Sequence, residues 1–152
     1  MTSDGREELG YKWLTNILHS GWTATQSTNK YDRWDATCTN GKKVVYAEIK
    51  IRDIHSGNIK DEGAIIDKSK ADFLYKMGDA MIVQFFPVSE DYYTWNVKEK
   101  DEWRVGERMA RKNNQSFDKV LKQFYYMPMT DDHRRIMDFD ISDYYGPTKE
   151  SV

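Results

Sequence analysis

"YDRWDATCTNGKKVVYAEIKIRD", residues 31–53, holds two stretches of alternating side chains on either side of Asn40-Gly41. Asn-Gly between alternating runs is a strong local signal for a β-hairpin with a two-residue type I′ turn. The spacing predicts strands over 31–39 and 42–51. Successive side chains of a strand point to opposite faces. Asp32, Trp34, Ala36 and Cys38 therefore share one face with Val45, Ala47, Ile49 and Ile51, an apolar set apart from Asp32. Arg33, Asp35, Tyr46, Glu48 and Lys50 share the other. A two-residue loop pairs Thr39 with Lys42 and sets Asp35 opposite Tyr46. Glu48 is then its diagonal neighbour, roughly 7–8 Å away between backbone positions. Buried charges are costly unless they pair or hold a metal. A solvated antiparallel face would carry them with no further role, but Asp is disfavoured inside strands, and Asp35 sits mid-strand.

Upstream, residues 4–20 read as a helix that Ser3 or Asp4 can cap and Gly21 ends. On a helical wheel Gly10, Tyr11, Trp13, Ile17 and Leu18 gather around Leu14. Glu7 falls near the centre of that apolar stripe, and Glu8 falls toward its polar side. Residues 22–28 alternate weakly as a first strand. Downstream, 63–78 carries helical spacing. The nearly continuous apolar run 79–88 reads as a central strand buried on both faces, and 92–97 reads as an edge strand. Helices are predicted over 102–115 and 116–127. In the second, Phe117, Val120, Leu121, Phe124 and Tyr125 form one apolar face, and Pro128 closes it. In the first, Arg104, Arg108, Arg111 and Lys112 form a basic stripe of the kind that tracks a nucleic-acid backbone, diluted by Glu102 and Glu107. The order α-β-β-β-α-β, with extra C-terminal helices, predicts an α/β fold bordering on α+β. Its mixed central sheet is flanked by helices.

At 152 residues the chain has the size of one domain. We expect a core over about 5–97 and a helical extension over about 100–145. Charged residues make up 32% and prolines number three, which excludes long disordered linkers. Cys38 is the one cysteine, so no intrachain disulfide can form, and a reducing, cytoplasmic setting is expected. No window approaches the roughly 18 apolar residues of a membrane span, and the first residues lack the apolar core of a signal peptide. The net charge of −2 means that any nucleic-acid contact must come from local basic patches.

Asp35, a gap, then Glu48-Ile49-Lys50 on neighbouring strands after a Glu7-bearing helix resembles the PD-(D/E)XK nuclease superfamily. The expected α-β-β-β-α-β order is similar to that superfamily's restriction-endonuclease-like core. "HSGW" (19–22), "NGKK" (40–43) and "AEIK" (47–50) most resemble small Holliday-junction-resolvase-like and phage-type nucleases. Trp34 stands where the superfamily has its Pro. The resemblance covers roughly residues 5–97 and implies a Mg²⁺-dependent DNA endonuclease, with Mn²⁺ as a substitute cation. It implies that Asp35, Glu48 and the backbone carbonyl of Ile49 hold the cation. Glu7 would complete the acidic cluster, or Glu8 if the register is one residue off. Lys50 would orient the attacking water and offset transition-state charge. Lys68 or Lys70, opening the second helix, would face the phosphate, with Lys30 and Arg33 beside the site. Arg104, Arg108 and Arg111 are further DNA contacts. A homodimer acting on branched or structured DNA follows from the same resemblance. RNA cleavage by the same site stays open. So does a catalytically inactive module that binds DNA or a protein partner.

Overall fold

The structure is a computed structural model that describes residues 3–27, 33–112 and 117–146. The chain runs α1 (Ser3–Ile17), β1 (Thr23–Gln26), β2 (Ala36–Thr39), β3 (Val44–Ile51), β4 (Ala64–Asp67) and α2 (Lys68–Met77). It continues as β5 (Ala80–Phe86), β6 (Asp91–Asn96), β7 (Arg104–Arg111), β8 (Lys119–Met127), β9 (Arg134–Ile136) and α3 (Ser142–Tyr145). Six strands form a mixed sheet in the order β1-β2-β3-β5-β6-β9. Only β3 and β5 run parallel, and α2 lies in the crossover between them. This is the α/β architecture expected, a central mixed sheet flanked by helices, with β4 of the second sheet inserted between β3 and α2. A second, antiparallel sheet has the order β4-β8-β7.

The central sheet buries both faces. On one, α1 lays Leu9, Trp13 and Leu14 against Ala36, Cys38, Ala47, Val83 and Phe85. On the other, α2 and the second sheet bring Leu74, Ala64, Ile66 and Met127 onto Ile82, Phe86 and Trp95. Each large apolar side chain so buried contributes about 1.5–3 kcal/mol. β5 explains its own sequence, because a strand covered on both sides needs apolar residues throughout. Its one polar residue is Gln84. The face bearing Glu48 and Lys50 is therefore not a solvated sheet surface but one wall of a cleft between two layers.

Three expectations are corrected. The hairpin loop spans 40–43 rather than 40–41, because Thr39 pairs with Val44 and Ala36 with Ala47. Asn40 Oδ1 accepts the N–H groups of Lys42 and Lys43, and Thr39 Oγ1 donates to the Lys43 carbonyl. These side-chain bonds favour an Asx-type loop over the tight turn. A shift of two preserves the face of every paired residue of β2 and β3 and brings position 35 level with 48. Trp34 lies before β2 and packs edge-on against Tyr46 on the cleft side. The predicted edge strand gains a neighbour, as β9 pairs with β6.

The predicted helices over 102–115 and 116–127 are strands β7 and β8. Arg104–Arg111 pair with Tyr126–Lys119 in antiparallel register, and Phe124–Met127 pair also with β4. Helical spacing would gather Phe117, Val120, Leu121, Phe124 and Tyr125 on one face. The structure instead leaves Phe117 and Leu121 exposed and buries Tyr125, and the available strand partner decides. Gly106, worth about 1 kcal/mol against a helix interior, fits the strand for a different reason. A Cβ there would run into the Tyr126 ring. The C-terminal extension is thus mainly β: it completes the second sheet, adds β9 to the first, and returns Phe139 and Tyr144 onto Trp13.

Candidate metal centre and cleft

β3 begins the site. Its alternation sends Ala47, Ile49 and Ile51 toward α1 and Glu48 and Lys50 into the cleft. Across the hairpin, the backbone N–H of Asp35 donates to the Ala47 carbonyl, which fixes Asp35 at the mouth of β2. Its Oδ2 then accepts the Ile49 N–H at 2.7 Å. The Asp35 carboxylate lies within hydrogen-bonding reach of Glu48. Glu48 Oε1 accepts from Lys70 Nζ at 2.8 Å, while Oε2 is buried and meets no donor among the described residues.

Glu48 is only 14% exposed in its side chain. Burial first, and the Asp35 charge second, push its pKa up from 4.5 to about 7, with Lys70 opposing. Burial pulls Lys70 the other way, but its contact with Glu48 more than offsets this, and its pKa ends above the ordinary value. Two carboxylates crowded this way favour a shared proton or a cation between them.

The cleft encloses about 510 Å³, with Arg33, Glu48, Lys50, Arg52, Lys70 and Gln84 among its lining residues. Four of those six are cationic, so the chain's net −2 does not extend to this wall. Lys50 is exposed at the opening, and Arg33 lies over the Phe73 ring at 4.9 Å. Burial, and then the Arg108 charge, lower the pKa of half-buried Arg52. Gln84, 3% exposed, donates Nε2 to the Ile65 carbonyl and leaves Oε1 buried with no partner. Arg52 and Gln84 are not among the residues expected at the site. Arg52 continues the 48, 50, 52 alternation past the strand's expected end, and Gln84 is the single polar residue of an otherwise apolar run.

Other expected residues are placed elsewhere. Lys68 donates to Asp72 at 2.7 Å, in a cluster with Tyr125 and Lys100 that ties α2 to β8. It is thereby drawn away from the cleft, and Lys70 alone of the two reaches the carboxylates. Glu7 is exposed on α1, as is Glu8, and the helix's buried line begins at Leu9 and Gly10. No group of three or more acidic, His or Cys side chains suited to a metal forms among the described residues. Asp35 and Glu48 thus stand as a pair. Lys30 lies outside the described residues. Arg104 and Arg108 are on β7 and engage Glu62, and Arg111 lies over Phe117. A second cavity, about 560 Å³, opens on the α1 side of the sheet, where its one lining carboxylate, Asp79, is paired with Lys98. No described helix is long and apolar enough to cross a membrane.

No protein-family model and no curated protein matches the chain. Among solved structures, it is similar to Hjc, a Holliday junction resolvase from Archaeoglobus fulgidus, at a TM-score of 0.44 and 14% identity. The alignment covers 76% of this chain and 85% of that one.

Proposed function

We propose that the protein is a divalent-metal-dependent endonuclease that cuts DNA, with branched or structured DNA as its substrate. The observation that carries this reading is the Asp35–Glu48 pair, whose buried Glu48 Oε2 has no donor among the described residues, in a cleft walled by cations. Two crowded carboxylates and an orphaned buried oxygen fit a hard divalent cation, which takes oxygen ligands. Asp35 and Glu48 would hold Mg²⁺ or Mn²⁺, with the Ile49 carbonyl as a further ligand. Bound there, the cation supplies Lewis-acid charge to a phosphate oxygen and acidifies a water.

The chain's own residues do the positioning. Asp35 is held by the Ile49 N–H, so its carboxylate needs little reorganisation on binding. Lys70 keeps Glu48 from holding its proton still more tightly. Lys50, Arg33 and Arg52 line the cleft and would hold phosphate oxygens and offset the charge that develops on them. Branched DNA as substrate, and a homodimer that presents two sites to it, rest on the sequence resemblance. A monomeric mass by light scattering at working concentration would remove the dimer from this reading.

A second reading is a nuclease-like module that binds DNA without cutting it. It draws on the exposed Glu7 and on the Lys70 ion pair, which already balances one of only two carboxylates. Cleavage assays on branched, single-stranded and duplex DNA with Mg²⁺ or Mn²⁺ separate the two. Cutting that is lost in Asp35→Ala and Lys50→Ala supports the enzyme. Binding with no cutting of any substrate by either cation leaves the module.

A further inference from the structure

β4 pairs with β8 only over Phe124–Met127, whereas β7 pairs with β8 along the whole of Arg104–Arg111. Beyond Phe124, residues 107–111 and 119–123 therefore have no strand neighbour among the described residues except each other. They form a two-stranded ribbon, mostly exposed, standing off the second sheet. At about 3.3 Å per residue, this free part reaches roughly 17 Å, which is about five base-pair steps of duplex.

Its charge is unlike that of the rest of the chain. Between 104 and 127 there are six basic residues and two acidic ones, a net +4 in a protein of net −2. The register sharpens the point. Arg108 stands directly across from Lys122, and Arg111 directly across from Lys119. Like charges facing each other across an antiparallel pair destabilise it. Glu62 already offsets Arg108 at 2.7 Å, so it is the Arg111–Lys119 rung, with Lys122 on the other face, that calls for a polyanion. Positions 108 and 111 differ by an odd number, so one like-charge rung lies on each face. Between them Met109 faces Leu121, with the two side chains 60% and 61% exposed.

The root of the ribbon opens onto the cleft. Phe124 is part of the cleft wall beside Lys70 and Arg52, and Arg108 is near enough to Arg52 for their charges to oppose. Arg104 packs on the Tyr126 ring at 3.8 Å and donates to the Glu62 carbonyl, while Arg108 donates to the Glu62 carboxylate. These two arginines brace the root, which leaves Arg111, Lys119 and Lys122 as the gripping cations.

The geometry points to the β7–β8 ribbon as an arm that enters the major groove of the duplex flanking the cleft. This inference rests on the reading of the cleft as a DNA site. The major groove, about 12 Å wide, admits a two-stranded ribbon. Cations on both faces suit a partner that surrounds the arm, since the groove offers phosphates on either side. The Met109–Leu121 rung meets the groove floor, where thymine methyl groups supply apolar contact.

The test uses the full chain carrying Asp35→Ala, which prevents cutting, and measures binding to a long duplex by fluorescence anisotropy across a salt series. Adding Lys119→Ala and Lys122→Ala should weaken binding by about tenfold or more near 0.1 M salt. The log–log salt slope should become shallower by roughly two units, one per lost phosphate contact. Lys119→Arg with Lys122→Arg should restore both, which separates charge from folding. Unchanged affinity and slope in the alanine variant, with the Asp35→Ala parent still binding, overturns the arm alone. A parent that binds no DNA overturns the cleft reading and the arm together. Loss of a dimer mass in the alanine variant with DNA binding intact assigns the ribbon to a second copy of the chain and overturns the groove assignment.

Discussion

The carboxylates of Asp35 and Glu48 lie within hydrogen-bonding reach across neighbouring strands, and burial first, then Asp35's charge, push the Glu48 pKa up to about 7. Removing one charge relieves that conflict and also removes a cation ligand. Asp35→Asn should therefore raise the thermal midpoint of the metal-free protein slightly while abolishing the stabilisation that Mg²⁺ gives the parent. Binding to the native state alone contributes about 2.7 kcal/mol at a hundredfold excess over Kd. Melting curves with and without 10 mM-scale Mg²⁺ read both effects. An equal Mg²⁺-induced shift in parent and variant removes Asp35 from the site.

Glu48 sets a pH dependence. Its folded pKa of about 7 lies above the ordinary value of 4.5. The native state therefore holds a proton that the unfolded chain releases between those values. That contribution is complete below about pH 4.5 and is lost as pH rises through about 7. Without metal, stability should fall across this window, and Glu48→Gln should flatten the slope. Cation binding needs the ionised form, so Mg²⁺ affinity should rise over the same range. Calorimetry in a pH series checks both directions. A metal-free slope that persists in Glu48→Gln belongs to another group.

Much of this pair was legible because strand alternation has a period of two. The loop is two residues longer than Asn-Gly implies, yet the paired side chains of β2 and β3 keep their faces, and the error turns a diagonal pair into a closer one. The cleft was not legible in the same way. Its far wall comes from β4 and β8, and β8 carries a spacing that a helix or a strand can satisfy. Only the partner strand decides between them. Gln84 left a trace as a lone polar residue in a buried run, whereas the ion pair of Lys70 with Glu48 depends on how α2 docks, which no local pattern records. Glu7 shows the opposite failure. Its angle on the wheel falls on the apolar stripe, but the side of α1 that meets the sheet at this turn carries Arg6, Leu9 and Gly10, and Glu7 is exposed.

Lys50 and Lys70 separate activity from stability. Lys50 is exposed at the mouth of the cleft, so Lys50→Ala should change stability by no more than about 0.5 kcal/mol. If Lys50 offsets transition-state charge, the same variant should lose about 10²-fold or more in cleavage rate. Lys70 is the cation bonded to a largely buried Glu48. Lys70→Ala should cost about 1–2 kcal/mol at pH 8, since it strands a buried charge, and much less at pH 5.5, where Glu48 is protonated. Denaturant melts at the two pH values, paired with cleavage rates, measure this. Equal losses at both pH values would mean that Lys70 acts through packing alone.

Gly10 links the helix to the Asp35–Glu48 pair through a single residue. A Cβ at Gly10 would lie 2.9 Å from Ile49 Cγ2, closer than real side chains approach. The Ile49 N–H in turn holds Asp35. Two effects oppose each other in Gly10→Ala. Helix propensity favours Ala by about 1 kcal/mol, while overpacking a well-filled contact costs about 1–3 kcal/mol. The β-branched Ile49 has little rotamer freedom with which to yield, so the overpacking should win, with a net loss of about 1 kcal/mol. The displacement passes to the Asp35 anchor, and cation affinity should fall with stability. Ile49→Ala removes Cγ2, so the double variant should be more stable than the sum of the two singles by about 0.5–1 kcal/mol. Additive losses in urea melts would mean that α1 moves as a body and Ile49 does not transmit the strain.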